Sequence, residues 1–553
     1  MDEKVDKEHG RTDVQTLSVD DDASTEDAAK DIGPHDNVRL AQLGYKAEFK
    51  REFSMIETVA FAFAIMAVIP GISTTFSISL PSGGHVGLVW GWLIPCFFVM
   101  CVAASMAELA SSMPTSAGLY YFSAKLAPEK YSALAGWIAG WANITGQVTL
   151  VTSIDYTLAQ MITTAIAVGT DGAVNLGAGP TYGILIALLF VHGCICSATT
   201  RILARLNLFY ALVTSAFIGT DFCLAPTIHP PYAVGTTSAA ILALPIAAGD
   251  NRVSTKEAFM SFENHTGWTN NVWAFMLAFT VPMWTFTGYD SAAHISEEVS
   301  GAAKAAPVAI LVSVASVGSL GWILCIAASY AIVSVPDLLA TELSMPMGQL
   351  YLDTVGKQGM LAIWCLTCVV QFLCGAAQGV DASRVIFAFA RDNALPGSQW
   401  WKKINRRTQT PVNAVWLVIV LAAICGLLGF SSTALTSLAG ASVIGMYTSY
   451  ATPIFLRITS GRHKLKPGPF SLGALYMPVG LVAVAWVVFI IILLCFPATT
   501  AVDDDNMNYA VVIIMAVFVF AGGSWLVSAR KWFVGPLPNI DTEDAVILSC
   551  DTK

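Results

Sequence analysis

The sequence predicts an all-α membrane protein with twelve transmembrane helices, built as two inverted repeats of five helices with two further helices at the C-terminal end. Of the 553 residues, 55% are hydrophobic and only 12% are charged, whereas soluble domains carry about 25% charged residues. Twelve apolar stretches approach the roughly 20 residues that a helix needs to cross a bilayer. They cover residues 55–79, 87–111, 131–165, 181–199, 206–228, 272–296, 305–333, 359–391, 411–430, 433–457, 476–498 and 508–530.

Two of these stretches are broken near their middle, and these breaks predict the repeat. Residues 70–74 (PGIST) interrupt the first span, and residues 285–290 (TFTGYD) interrupt the sixth. Lipid cannot hydrogen-bond a freed backbone, so such a break survives only where it is buried in protein or lines a cavity. Breaks in the first and sixth spans take corresponding places in two five-helix units, which is typical of inverted-repeat transporters with a central binding site.

The charges separate two tails from the membrane body. Residues 1–40 carry 12 acidic and 5 basic residues, and residues 532–553 carry 4 acidic residues and one Lys. Few apolar residues and many acids indicate disorder in the first tail. In the body, 20 Lys and Arg fall on the side of the N-terminus and 3 on the other. Because basic residues favour cytoplasmic loops, both tails are predicted to lie in the cytoplasm.

The chain is therefore divided into six predicted segments. They are a disordered tail (1–45), spans 1 to 5 (46–228), an extracellular loop (229–271), spans 6 to 10 (272–457), spans 11 and 12 (458–531) and a C-terminal tail (532–553). The N-terminal segment lacks a basic start followed by an apolar run, so no cleavable signal peptide is expected. The loop contains the glycosylation sequon Asn264-His265-Thr266, whose use stays open.

The breaks also supply candidate binding residues. The N–H groups of Ile72, Ser73 and Thr74 would begin the second half of span 1 and could hold a carboxylate. Free carbonyls at the end of the first half of span 6 would suit an ammonium group. The candidate set is Gly71, Ile72, Ser73, Thr74, Phe286, Thr287, Gly288, Tyr289 and Asp290, with Asn143 and Gln147 from span 3. The alternative is a packing kink at each Pro or Gly.

Four stretches resemble the amino acid–polyamine–organocation (APC) superfamily, and within it the fungal amino acid/choline/GABA permeases, especially GABA permease-like members. They are LGYKAEFKREFS (43–54), MAELASSMPTSAGLYYFSAKLAP (106–128), FTGYDSAAHISEEVSGAAKAAPVAI (286–310) and ASRVIFAFARDNALP (382–396). The resemblance implies a LeuT-like fold and alternating access, with the substrate carboxylate on span 1 and its amine on span 6. It also implies that Phe286 closes over the substrate as a gate, with Trp284 as a second candidate.

Ionisable residues supply candidates for coupling and gating. Intramembrane carboxylates are functional candidates, and the coupling or cation-partner set is Asp155, Asp290, Glu298 and Thr214. Proton-coupled relatives that carry cationic amino acids have a Lys in span 5, where matching Arg201 and Arg205 to their pattern places Thr214. Thr214 could instead join a sodium site. Near the inner ends of spans 2, 6 and 8, Glu108, Glu297, Arg384 and Arg391 are expected to form gate or scaffold ion pairs.

The expected function is secondary active import of a small amino acid or amine, GABA or a related amino acid before others, coupled to protons. A choline or polyamine transporter and a nutrient-sensing receptor on the same fold stay open. No nucleotide loop, metal cluster or nucleophile–base spacing indicates an enzyme, and we expect no cofactor, no metal and no nucleic acid partner. Bilayer lipid is an expected partner, and trafficking machinery could bind the N-terminal tail. The plasma membrane is the expected location, with the vacuolar membrane as the alternative.

Overall fold

The computed structural model describes residues 39–46, 48–198, 200–215, 236–500 and 507–538. Within them the longer elements are all helices: α1 (Met55–Ile65), α2 (Val68–Ser79), α3 (Gly84–Ser112), α4 (Gly118–Leu126), α5 (Ser132–Gly169), α6 (Ala178–Cys196), α7 (Thr200–Ser215), α8 (Thr236–Ala248), α9 (Thr255–Met260), α10 (Asn271–Leu277), α11 (Thr280–Phe286), α12 (Ser291–His294), α13 (Ala302–Ala331), α14 (Val335–Leu339), α15 (Pro346–Arg391), α16 (Ser398–Trp401), α17 (Val412–Gly426), α18 (Ser432–Ile458), α19 (Tyr476–Leu494) and α20 (Ala510–Val527).

Eight helical segments of the described chain are long and apolar enough to cross a membrane. They are Met55–Ser79, Gly84–Ser112, Ala178–Cys196, Ala302–Ala331, Pro346–Arg391, Val412–Phe430, Gly473–Leu494 and Ala510–Val527. The other four predicted spans also overlap helices, namely α5, α7, the series α10 to α12, and α18. The chain is therefore a multi-pass membrane protein, as its composition predicts.

The first broken helix has its break earlier than the sequence predicts. A capping box between Ser54 and Glu57 begins α1, which ends at Ile65, and α2 starts at Val68 after non-helical backbone at Met66 and Ala67. Prolines are tolerated in the first turn of a helix because the N–H that they lack has no partner there. Pro70 accordingly lies inside the first turn of α2, and the predicted break at 70–74 is wrong by about one helical turn.

The second broken helix is interrupted where the sequence predicts. Here α11 ends at Phe286, Thr287 is extended, and Gly288 takes a φ of +107° before α12 begins at Ser291. Only glycine adopts such a positive φ without strain. The two broken helices touch: a Cβ on Gly288 would overlap Ile65, and a Cβ on Gly71 would lie 2.6 Å from the Thr285 side chain.

Corresponding helices of the two predicted repeats pack against each other. Contacts join α2 to α11, α3 to α13, α5 to α15 and α6 to α17. Between α3 and α13 the Trp92 indole donates to the Gly318 carbonyl at 3.0 Å and lies where a Cβ on Gly321 would be. Small residues that let helices approach closely are the usual basis of packing in membranes.

The predicted extracellular loop 229–271 is partly helical. It contains α8 and α9, and α8 packs against α13 and α15 within the bundle. Its sequon asparagine, Asn264, donates through Nδ2 to the Trp268 carbonyl (2.7 Å) and to Asn271 (3.0 Å). Both amide hydrogens are thus used internally, and a glycan on this nitrogen would displace these hydrogen bonds.

Both chain ends reach the same end of the bundle, called the tail side below. The Tyr45 hydroxyl donates to Asp392 Oδ2 (3.1 Å) and the Leu537 N–H donates to Asp392 Oδ1 (3.2 Å). Tyr120 also donates to this carboxylate, at 2.8 Å. Asp392 therefore fastens the N-terminal and C-terminal segments to the end of α15, which places the two described chain ends on one side.

Candidate functional site

A small cavity lies between the two breaks. It is lined by the end of α1 and its break (Ile65, Met66, Ala67), by α5 (Leu150, Ile154), by the end of α11 and its break (Trp284, Thr285, Thr287) and by α15 (Gln371, Cys374). Its volume is about 10 Å³, which is room for about one water molecule. The structure thus brings four predicted spans together at one point, in a closed conformation.

Helix ends give this cavity its polarity. The Gly71 N–H already donates to the Ala67 carbonyl at 3.0 Å, so the backbone donors of α2 without a partner in their own helix belong to Ala67, Val68 and Ile69, and that of Ala67 is hydrogen-bonded to the Cys374 thiol. The predicted donors at 72–74 are wrong, because in α2 they lie past the first turn and bond within the helix. The carbonyl end of α1 meets the same cavity, where Cys374 Sγ contacts the Ile65 carbonyl at 3.0 Å.

Other predicted polar residues of α2 turn to their own helix or stay unpaired. Thr74 Oγ1 donates to the Pro70 carbonyl at 2.7 Å. Ser73 is 1% exposed, and its hydroxyl has no partner among the described residues. Neither side chain lines the cavity, so α2 contributes to the site through the backbone at its N-terminus.

The cavity is polar without being charged. Thr285 Oγ1 and Trp284 Nε1 are buried with no partner among the described residues. Thr287 Oγ1 donates to the Met283 carbonyl (2.7 Å), and Gln371 Nε2 donates to the Ile154 carbonyl (3.0 Å). None of the lining side chains is ionisable apart from the Cys374 thiol. A ligand must therefore bring its own charges and match them to helix ends.

The aromatic residues of the second break divide between cavity and packing. Trp284 lines the cavity and is 8% exposed. Phe286 is fully buried against Trp92, with ring centroids 5.7 Å apart, and faces α3 and α13. Tyr289 is buried against Tyr450 at 5.0 Å. In this conformation Trp284 lines the cavity and Phe286 does not, and the gate role of either residue stays a prediction.

Asp290 lies outside the cavity, in a buried hydrogen-bonded group. Tyr450 donates to its Oδ1 at 2.6 Å, and Asn143 Nδ2 lies 3.5 Å from its Oδ2. His294 Nε2 lies 3.1 Å from the same Oδ2. Asn143 also donates to Ser449 at 3.2 Å. These bonds tie the second broken helix to α5 and α18.

A second buried carboxylate, which sequence reasoning missed, lies beside this group. Gln147 donates through Nε2 to Asp381 Oδ2 at 2.7 Å and accepts from Gln378. Asp381 is 0% exposed, and its Oδ1 has no partner among the described residues. The signal was present: Asp381 is an ionisable residue within an apolar span, three positions after a polar Gln378, and such residues are functional candidates.

Asp155 forms a separate buried pair. Its Oδ2 lies 3.0 Å from His192 Nδ1, and both side chains are at most 1% exposed. A Cβ on Gly375 would overlap Asp155 Oδ1. Asp155 and Gly375 each follow a residue that lines the cavity, Ile154 and Cys374 respectively. The Asp155 carboxylate nevertheless faces His192 and Gly375 and is not part of the lining.

Two buried ion pairs close the tail side. Arg384 donates to Glu298 from Nε (2.7 Å) and Nη2 (3.2 Å), and Arg391 donates to Glu297 at 3.1 and 3.2 Å. Glu297 also accepts from the Ser116 N–H at 3.0 Å. These ion pairs join the segment after α12 to α15 and to the loop before α4, and a role in gating stays a prediction.

The last two predicted residues are Glu108 and Thr214. Glu108 accepts from Ser471 (3.1 Å) and from the Leu472 N–H (3.3 Å), and lies 3.5 Å from Arg457 Nε. It fixes the connection before α19 to α3, which is a scaffold contact. Thr214 belongs to α7, and its side chain lies outside what the structure describes.

Comparison with known proteins identifies the family to which the chain belongs. Residues 53–518 match the amino acid permease family. The chain is 36% identical over 519 residues to amino-acid permease BAT1 of Arabidopsis thaliana, covering 91% of this chain and 96% of that protein. It is 34% identical over 529 residues to the GABA-specific permease of Saccharomyces cerevisiae, covering 94% and 88%, and 34% identical over 524 residues to the BAT1 homolog of Oryza sativa, covering 92% and 97%.

Proposed function

Since the chain belongs to the amino acid permease family of the APC superfamily and is a transporter rather than an enzyme, we propose that it carries a small zwitterionic amino acid, GABA or a close relative, by proton-coupled alternating access. The observation that carries the proposal is the uncharged cavity between two helix breaks. A helix N-terminus favours an anion and a helix C-terminus favours a cation. The cavity contains both kinds of end.

The helix ends in the cavity would bind the two charged groups of the substrate. Its carboxylate would take the N–H groups of Val68 and Ile69 at the start of α2, and its ammonium would take carbonyls at the ends of α1 and α11. Thr285 Oγ1 and Trp284 Nε1, both unpaired in the described chain, would complete the polar lining. The same cavity contains backbone N–H donors at the start of one helix and backbone carbonyl acceptors at the ends of two others. A substrate with one negative and one positive charge therefore fits better than a dication.

The substrate class is also supported by size and by similarity. The cavity of about 10 Å³ must expand before any amino acid binds, and a small substrate needs the least expansion. One relative is named as a GABA-specific permease. Choline is the second candidate, because the Trp284 indole in the cavity could hold a quaternary ammonium over its face.

Transport would require the two broken helices to move relative to the remaining helices of the bundle. We propose twelve spans in a LeuT-like five-plus-five inverted repeat with the tail side in the cytoplasm of a plasma-membrane protein. The packing of corresponding helices and the charge bias of the loops support this arrangement. The buried pairs of Arg384 and Arg391 close the cytoplasmic side in this conformation and must separate when the substrate is released inwards.

The test is uptake by proteoliposomes of the purified protein. Labelled GABA, alanine, lysine, choline and putrescine are presented with and without an inward proton gradient, and again with a sodium gradient. Proton-stimulated uptake of GABA or alanine is expected. Uptake of choline or putrescine alone, or stimulation by sodium alone, would overturn the substrate or the coupling ion respectively. Absence of uptake of all five with retained binding would favour a receptor.

Paired glycine variants test the location of the site. A Cβ on Gly71 would lie 2.6 Å from Thr285, whereas Gly522 has no atom within 4 Å of its would-be Cβ. Gly71→Ala should therefore reduce uptake at least tenfold, and Gly522→Ala should leave it unchanged. Equal uptake by the two variants would move the site away from the breaks.

A further inference from the structure

A buried group of titratable residues lies between the cavity and the tail side. We call it the carboxylate cluster and define it as Asp290, His294 and Asp381 with the bridging amides Asn143 and Gln147. All five side chains are at most 2% exposed. His294 and Asp290 lie close enough to Asp381 for electrostatic interaction. The three titratable side chains therefore form one electrostatic unit.

The cluster lies directly inward of the cavity along two helices. On α5, Leu150 and Ile154 line the cavity, and Gln147 and Asn143 follow at three to four residue intervals on the same face. On α15, Cys374 is followed at such intervals by Gln378 and Asp381. With a rise of 1.5 Å per residue, the cluster begins roughly 5–10 Å from the cavity.

With both carboxylates ionised, the carboxylate cluster lacks one positive charge. Two ionised carboxylates exceed a single imidazolium by one negative charge, and an uncompensated buried charge is strongly unfavourable. Arg384, the nearest cation on α15, is already held by Glu298. The cluster becomes neutral when it binds one proton on a carboxylate in addition to the proton on His294.

Hydrogen bonding indicates where that proton goes. Asp290 is saturated with contacts to Tyr450, His294 and Asn143. Asp381 receives one hydrogen bond, from Gln147, and its Oδ1 has no partner among the described residues although the side chain is fully buried. A bare buried carboxylate oxygen is costly, and a proton on Oδ1 removes its charge.

The cluster also joins the parts that transport must separate. Asp290 and His294 belong to the second broken helix, whereas Asp381, the bridging amides and Tyr450 belong to α15, α5 and α18. The remaining groups that face Asp290 are phenols, from Tyr289, Tyr447 and Tyr450. Gly118, the first residue of α4, and the Ser116 carbonyl in the loop before α4 face His294.

We propose that the carboxylate cluster is the proton-binding site of the transporter and that the Asp381 carboxyl carries the transported proton. The inference rests on the proposed proton coupling and names its site. An O–H bond forms on Asp381 when the cluster is open to the acidic side, and the same bond breaks, returning the proton to water, when it opens to the other side. Movement of the second broken helix away from α15 exchanges the proton and releases the substrate together.

The experiment compares gradient-driven accumulation with substrate exchange in proteoliposomes. One proton moved per substrate across one pH unit supports an accumulation ratio of about tenfold. Wild type should accumulate GABA or alanine to that order and should acidify a lumenal pH dye when substrate is added. Asp381→Asn should keep counterflow exchange, within about threefold of wild type, with an accumulation ratio near one and no dye signal.

Asp155, a buried carboxylate outside the cluster, serves as the control. Asp155→Asn changes an equally buried acid that pairs with His192 outside the cluster, and it should retain gradient-driven accumulation. If Asp381→Asn does not fold, His294→Gln, which keeps a nitrogen donor towards Asp290, should lose the dye signal in the same way. Accumulation by Asp381→Asn equal to wild type, or its loss in Asp155→Asn alone, overturns the assignment. Wild type without proton-stimulated uptake overturns the proposed coupling itself, so the two failures are distinguishable.

Discussion

The ion pair of Arg384 and Glu298 should make a large coupled contribution to stability. The two side chains are 0% and 1% exposed and form two parallel hydrogen bonds of 2.7 and 3.2 Å. Arg384→Met leaves the Glu298 carboxylate buried without its partner, for which we expect a loss of about 3–5 kcal/mol in the free energy of unfolding. Replacing both residues by Met removes both charges, and most of that loss should disappear.

Reversible unfolding of the purified protein in mixed SDS micelles measures these free energies. The two single variants and the double variant form a cycle that isolates the pairwise term. The control is Lys357→Met, which breaks an exposed pair with Asp171 whose side chains are 37% and 81% exposed, and a loss of at most about 1 kcal/mol is expected there. A coupling energy below about 1 kcal/mol, or equal losses in Arg384→Met and Lys357→Met, would refute the argument.

Four further substitutions test the breaks and the tail side. Gly288→Ala should abolish uptake and destabilise the protein by at least about 1–2 kcal/mol, because φ is +107° and a Cβ would overlap Ile65; wild-type uptake would contradict this. Trp284→Ala should raise KM, whereas Phe286→Ala should cost about 3–5 kcal/mol of stability with little change in KM; transport kinetics and unfolding separate them, and the reverse pattern would restore Phe286 as the gate. Burial raises the pKa of Asp392 to about 6, so its carboxyl stabilises the fold most at low pH and that contribution is lost as the pH rises from about 4 to 6. Asp392→Asn should flatten the fall in unfolding free energy between about pH 4 and pH 6, and an unchanged pH profile would exclude this group.

The two breaks show how far the sequence could locate the site. Gly288 was correctly predicted as part of the second break, because a positive φ in a buried helix requires glycine. The predicted first break begins at Pro70, whereas the helix is interrupted at Met66 and Ala67, because a proline is also favourable in the first turn of a new helix. Met66 and Ala67, where the chain unwinds, carry no signal of their own, and the position follows from their packing against α15.

The orientation of side chains around the breaks was harder to predict. Every residue of α11 from Val281 to Phe286 is buried, so no polar face distinguishes the cavity side from the packing side. Phe286 was chosen through resemblance, and Trp284 occupies the cavity. Likewise the partner of Gln147 is 234 residues away in the chain at Asp381, a separation over which local patterns carry no information.

In the proposed mechanism, α15 would connect substrate binding, proton exchange and gating in one element. From Gln371 to Arg384 the helix rises about 20 Å and passes the cavity, the carboxylate cluster and the buried ion pair in that order. The segment 287–298 faces its later part, since Gly288 lies near Gln378 and Glu298 holds Arg384. If this segment moves away from α15 during transport, as we propose, the three sites would not open independently. Coupling of proton to substrate would then follow from geometry without contact between the proton and the substrate.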